Sequence, residues 1–210
     1  MTNDDSAVPR RKPRQARAQA AVEAIRLATS ALLDEIGFDS LTTSAIAERA
    51  GVNIATLYRY YPNKFTIVRE LAEGLESERS AVSVNALRSL RAGADWREPV
   101  RQAIVGVADL RVKQPATRAI RRALTSSPSL WDLDHDVVVR TADAIAPFLR
   151  EVNPALGERQ STDIALVVVH TVTSLLDLVN DAPELAPRVH AETALMIERY
   201  LAPYLDVTAD

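Results

Sequence analysis

The chain has 210 residues, no cysteine, six glycines and a formal net charge of -3; 47% of its residues are hydrophobic but only 5% are aromatic. Disulfides, thiolate metal sites and cysteine nucleophiles are thereby excluded, and the slight acidity argues against indiscriminate nucleic-acid binding. The length admits one domain, or a small one joined to a larger, and a composition poor in glycine and rich in alanine favours helices with cores of Ala, Val, Leu and Ile.

Charge is unevenly placed. Residues 1–70 hold 10 Lys+Arg against 8 Asp+Glu, and residues 71–210 hold 15 against 20. From Arg10 to Arg26 there are six cations and one acid, Glu23. A phosphate-facing end followed by an acidic body fits this pattern. No N-terminal apolar run resembles a signal peptide. The longest apolar run, Ile164 to Val169, is far short of the ~20 residues that span a bilayer. These features lead us to expect a soluble, cytoplasmic protein with no membrane partner.

In chain order, Met1 to Val8 is polar without apolar period, and Arg10-Arg11-Lys12-Pro13-Arg14 is a basic arm. Basic tails are often merely solvated. Beside a DNA-reading unit, Arg14 is a candidate phosphate or minor-groove contact. A first helix is expected from Gln15 to Ile36, with Val22, Ile25, Leu32, Leu33 and Ile36 as its apolar stripe and Gly37 as its stop. Phe38 and Leu41 would pack beneath the next two helices.

Leu41 to Lys64 accommodates two short helices. Thr42 or Thr43 can accept from an unpaired amide at the first. Ile46, Ala47 and Ala50 form its inner face, and Gly51 supplies the positive φ of a tight turn. Asn53 caps the second helix, whose Leu57 faces back toward Ile46. The small Ala47, four residues before Gly51, lets the helices cross closely, as in a helix-turn-helix. A plain helical hairpin would show the same caps and turn. Thr56, Tyr58, Arg59 and Tyr60 point outward on the second helix, with Lys64 just beyond. Such hydroxyls and cations suit phosphate oxygens, and a purely structural helix has no need of three tyrosines in four residues. The second helix would lie in the major groove.

The run Gly51-Val52-Asn53-Ile54-Ala55-Thr56-Leu57-Tyr58-Arg59-Tyr60-Tyr61-Pro62-Asn63-Lys64 resembles the signature of TetR-family transcriptional regulators. Tyr61 departs from the family's usual phenylalanine, and Phe65-Thr66 stands where acids are common. The specific match covers about the first third of the chain. The remainder matches only in length and helical character. The resemblance implies a ligand-responsive repressor with no enzymatic activity, acting as a homodimer on a palindromic double-stranded operator, with a cavity in the C-terminal body. Thr42, Thr43, Tyr58, Tyr60 and Lys64 would hold phosphates. Ser44, Ala55, Thr56 and Arg59 would approach bases, Ala55 reaching a thymine methyl, and Ile54 is a further DNA-contact candidate. A constitutive DNA-binding regulator or activator, or an all-helical enzyme or carrier using the C-terminal half, are the alternatives.

The next helix starts at Pro62-Asn63, carries Ile67, Val68, Leu71 and Leu75, and is expected to reach Leu90, so that it belongs to both halves. Further helices are expected over Trp96–Lys113 (Val100, Ile104, Val107 and Leu110 inward), Ala116–Leu124, Ser129–Arg150 with a bend at Pro147, Glu158–Asn180 and Leu185–Tyr204. The helix from Glu158 is apolar all round its middle, so it needs partners on all sides. One face can meet the core; the other needs a second copy of the chain. Val167, Leu175, Leu178, Val189, Ala194, Ile197 and Leu201 are the expected dimer interface, a four-helix contact suited to reading two half-sites.

The expected architecture is therefore all-α. It comprises a basic arm (residues 1–14), a three-helix DNA-binding domain (15–62), a larger helical effector-binding and dimerisation domain (63–204) and a tail (205–210). Val107, Leu110, Leu124, Trp131, Val138, Phe148, Val168 and Thr171 are the candidate pocket wall, with His170 or Thr171 orienting a polar head. Such a lining, with little fixed charge, suits a small apolar or amphipathic effector, such as a fatty acyl chain. Each of these residues could equally be core. Asp132, Asp134, His135 and Asp136 read as a solvated helix face rather than a metal site. Arg118, Arg121 and Arg122 read as an exposed face. No cofactor or catalytic constellation is indicated.

Overall fold

The computed structural model describes residues 12–91, 94–114, 116–126 and 128–206, and all regular structure among them is helical. The chain divides into two compact units, the first ending at Val68 and the second beginning at Arg69.

The first unit contains α1 (Lys12–Ser40), α2 (Thr43–Arg49), α3 (Ile54–Tyr60) and the opening residues of α4 (Lys64–Leu87). α1 buries Ile25, Ala28, Leu32 and Leu33. Thr29, also buried, returns its hydroxyl proton to the Ile25 carbonyl at 2.7 Å. Gly37 does break the helical path, at φ 73° and ψ 174°, but helical backbone resumes as far as Ser40. Ile36, expected inside, is 44% exposed, and Leu41, beyond the break, is the buried residue instead.

The second unit takes the rest of α4, then α5 (Arg97–Lys113), α6 (Thr117–Ser126), α7 (Pro128–Val152), α8 (Glu158–Asp181), a 3₁₀ turn (Pro183–Leu185) and α9 (Ala186–Leu205). α7 and α8 make its most extensive pairing, α6 packs on both, and α9 packs on α8 and α5. One core joins Leu90, Trp96, Ile104, Ile145, Leu149, Ile164, Ile197 and Leu201. Fully burying a side chain the size of leucine contributes about 1.5–3 kcal/mol. α4 stops at Leu87 rather than Leu90, although Leu90 is itself fully buried in this core. α6 starts at Thr117 because Ala116 has φ 54°, in the left-handed region. α7 stays one helix across Pro147. The carbonyl that this proline leaves unpaired belongs to Asp143, an exposed residue that water can serve.

Judged by length and hydropathy rather than by unbroken runs, Glu158–Val179 is apolar enough to cross a bilayer, and only a minority of it is buried within the chain. It is the helix whose apolar middle calls for partners on all sides. Ile164, Ala165, Leu176 and Val179 are buried, whereas Val167 and Leu178 are 46% and 50% exposed.

α4 and α5 touch at a notch. A Cβ at Gly106 would stand 2.7 Å from Val82 Cγ1, closer than real contacts allow. Gly106→Ala is therefore expected to overpack this crossing and cost about 1–3 kcal/mol in urea unfolding. Val82→Ala in the same chain should restore most of the loss. A Gly106→Ala chain as stable as wild type would show that the notch is not needed.

Candidate nucleic-acid interface and ligand cavity

The helix-turn-helix is assembled by local polar caps around a small apolar centre. Thr42 Oγ1 accepts from Ala45 N (3.1 Å), which makes Thr42, not Thr43, the cap of α2. Gly51 has φ 64°, and the turn is closed by Gly51 N to Glu48 O (3.1 Å) and Val52 N to Ala47 O (3.0 Å). Asn53 Oδ1 then accepts from Ala55 N (2.8 Å) to cap α3. Ile46, Ala47 and Leu57 are buried between the helices. Arg49 donates twice to the Glu35 carboxylate (2.8 and 2.7 Å), tying α2 to α1. Those hydrogen bonds, with the arginine charge, hold the Glu35 carboxyl below its ordinary pKa.

Ser44, Ala55 and Arg59 are exposed, as are Ile54 (38%) and Tyr58 (53%); Thr56 and Tyr60 are half-buried. The Thr43 and Tyr58 hydroxyls meet at 2.9 Å, linking the start of α2 to α3. Arg59 Nη2 donates to Tyr60 Oη (3.0 Å), its guanidinium 4.9 Å from that ring's centre. The Arg14 side chain lies outside the described residues.

Lys64, expected at a phosphate, is engaged within its own chain here. Its Nζ donates to the carbonyls of Phe38 and Leu41 (2.9 Å each), reaches that of Asp39 at 3.4 Å, and sits 4.5 Å from the centre of the Phe38 ring. An ammonium has three protons, and here they serve the carbonyls at the end of α1. Phe65 adds an edge-on contact to Phe38, with centroids 5.4 Å apart, which gives the unusual phenylalanine after Lys64 a packing role.

The second unit encloses a cavity of about 90 Å³ whose walls come from α4, α5, α7, α8 and α9. Val107, Val138 and Val168 line it, as expected. Among the described residues, the other expected wall positions do not. Leu124 lines a smaller neighbouring pocket. Phe148 packs against the core. Leu110 and Thr171 are half-buried away from the lining, and His170 is exposed. α8 turns Val168, Val169, Val172 and Thr173 toward the cavity, which leaves His170 on another face. The Trp131 side chain lies outside the described residues, as do those of Asp132 and Asp134. His135 and Asp136 are exposed.

One end of the cavity is polar, and the expected wall does not include it. Arg79 of α4 is buried, and all three of its nitrogens are engaged. Nε donates to Gln114 Oε1 (2.8 Å), Nη2 to Thr117 Oγ1 (3.3 Å), and Nη1 to Glu76. Burial lowers its pKa, and the nearby Arg111 charge lowers it further, against the opposing pull of Glu76. Arg111 of α5 donates through Nη1 to Asp177 Oδ1 at 2.6 Å. The sequence carries one signal of this: Arg111 continues the inward register Val100, Ile104, Val107 by four more residues.

The expected dimer residues divide. Val167 and Leu178 are exposed, and Leu175, Val189 and Ala194 are half-buried. Ile197 and Leu201 are 2% and 1% exposed within the core of their own chain, so they are corrected to core positions. An open groove of about 440 Å³ runs along Leu175, Leu178, Leu185, Val189 and Met196.

A helix-turn-helix with an exposed second helix, in a chain that also carries a helical body around a cavity, defines a DNA-binding regulator. The family profile described as "Bacterial regulatory proteins, tetR family" matches residues 25–71, and "Tetracyclin repressor-like, C-terminal domain" matches residues 95–201. The chain belongs to the TetR family of bacterial transcriptional regulators, which are DNA-binding proteins and not enzymes. It is 42% identical over 66 residues to the "Tetracycline repressor protein class A from transposon 1721" of Escherichia coli, a match spanning 31% of this chain and only 28% of that repressor. Among solved structures, a TetR-family regulator from Streptomyces coelicolor is similar over 88% of this chain and 99% of its own (TM-score 0.66, 26% identity). The structure described as "SmeT-Triclosan complex" shares the fold over 88% of this chain and 91% of its own (TM-score 0.68, 18% identity).

Proposed function

We propose that the chain is a cytoplasmic, ligand-responsive repressor that binds a palindromic operator as a homodimer and is released by a small apolar or amphipathic effector. The observation that carries this reading is the coexistence of an exposed, hydroxyl-rich α3 with an apolar cavity in a separate helical body. Thr42, Thr43, Tyr58 and Tyr60 hold phosphates in this reading, and Arg14 reaches a phosphate or the minor groove. Ser44, Ile54, Ala55, Thr56 and Arg59 approach base edges. Lys64 acts indirectly, by fixing the end of α1.

The exposed apolar groups of α8 and α9 take the second copy, which spaces two α3 helices for two half-sites. α4 links the functions covalently. It contributes Glu76, Arg79, Ser80, Ser83 and Leu87 to the cavity, and its first residues belong to the DNA-binding unit. To reverse operator occupancy fully, the effector must favour the non-binding conformation by about 5.5 kcal/mol.

The test is operator release. Duplexes selected from a random pool by the purified chain should share a palindrome and be protected in footprinting. They should be released by fatty acids or acyl esters, with potency rising with chain length until the cavity is full. Failure to select any sequence, or release by charged polar metabolites alone, counts against the proposal.

A further inference from the structure

The cavity is aliphatic along most of its wall, with no aromatic ring among its described lining residues, and Arg79 and Arg111 stand at its polar end. The two arginines differ in one respect. Arg79 spends all three nitrogens on the protein. Arg111, whose side chain is 2% exposed, uses only Nη1, toward Asp177 Oδ1 (2.6 Å) and the Thr173 carbonyl (3.4 Å). Its Nε is buried without a hydrogen-bond partner, and no hydrogen bond joins Nη2 to any described residue. Leaving a buried charged donor unsatisfied is costly.

Nε and Nη2 form one edge of the guanidinium fork, the geometry that a carboxylate meets with both oxygens. The acids already present face other arginines as well, and the second oxygen of Asp177, though close to Arg121, is itself buried without a hydrogen bond. Glu76 bonds Arg79, and Asp177 is shared between Arg111 and Arg121, whose Nε lies 2.9 Å from Asp177 Oδ2.

We infer that the cavity takes an aliphatic monocarboxylate, with its carboxylate against the Nε–Nη2 edge of Arg111 and its tail among Ile104, Val138, Leu149 and Val169. This rests on the reading of the body as the effector-binding part, and it names the class of effector. It also moves the head-group contact from His170 and Thr171 to Arg111. The tail contributes through burial of apolar surface and carries no selectivity of its own. Selection among ligands of one length therefore falls to the head.

The experiment is calorimetric titration of the full chain with octanoate, 1-octanol and octylamine, three probes with one tail and different heads. Octanoate is expected to bind about tenfold or more tighter than the other two, as a charge-assisted bidentate contact predicts. Arg111→Lys keeps the charge but loses the fork, and Arg111→Gln with Asp177→Asn removes the pair together. In either variant the preference for octanoate over octanol should vanish. Equal affinity of octanoate and octanol for the wild type, or a preference that survives in both variants, overturns the inference alone. If none of the three probes binds, the reading of the cavity as an effector site falls with it.

Discussion

Leu178→Arg is expected to turn the chain into a monomer in sedimentation velocity at micromolar concentration and to remove measurable operator binding. Leu178 is half exposed and borders the open groove formed with the 3₁₀ turn and α9. In an isologous dimer each substitution appears twice, and a charge buried there without a partner costs about 3–5 kcal/mol. A monomer would meet one half-site at a time, losing the gain of holding two at once. Val112→Arg is the control, because Val112 of α5 is 81% exposed and lies outside the proposed interface. It should sediment as the wild type does. A Leu178→Arg chain that remains dimeric would place the contact elsewhere, and a monomeric wild type would end the homodimer proposal.

The second large effect is expected at Leu57→Ala. Leu57 is fully buried opposite Ile46 and Ala47, in a pair of helices of seven residues each. Helices that short do not hold together on propensity; packing must do it. Removing a buried leucine side chain typically costs about 2–5 kcal/mol, a large share of a small unit's stability. Operator binding should be lost, and urea unfolding followed by circular dichroism should show an early transition absent from the wild type. Wild-type unfolding together with wild-type operator affinity would mean that α3 is held by something other than this contact.

The parts of the fold legible from sequence are those whose causes are local. Asn53 caps α3 through an amide two residues away, and Gly51 supplies a conformation that residue type alone nearly specifies. Between Thr42 and Thr43 the pattern leaves a choice, which the accepted Ala45 amide settles.

The carbonyl contacts of Lys64 are not legible from sequence because its acceptors lie 23 to 26 residues earlier. A lysine beside a DNA-reading helix has the same type whether it faces carbonyls or phosphates. The cavity poses the same difficulty on a larger scale. Apolar period shows which side of a helix turns inward, but not whether the opposite helix fills the space. That is why Val107 and Val138 line the cavity while Phe148 packs in the core. Ile197 and Leu178 are both apolar residues on neighbouring helices. Only the packing of α9 separates the buried one from the exposed one.

α8 also constrains how this chain can change over time. Val168, Val169, Val172 and Thr173 face the cavity, while Val167 and Leu178 face outward. Point substitutions can alter one side and spare the other. Insertion or deletion of a single residue cannot, because each residue turns an α-helix by about 100°, and everything beyond the change would trade sides. Length variation among descendants of this sequence should therefore be barred from α8 and collect in segments such as the one joining α4 to α5.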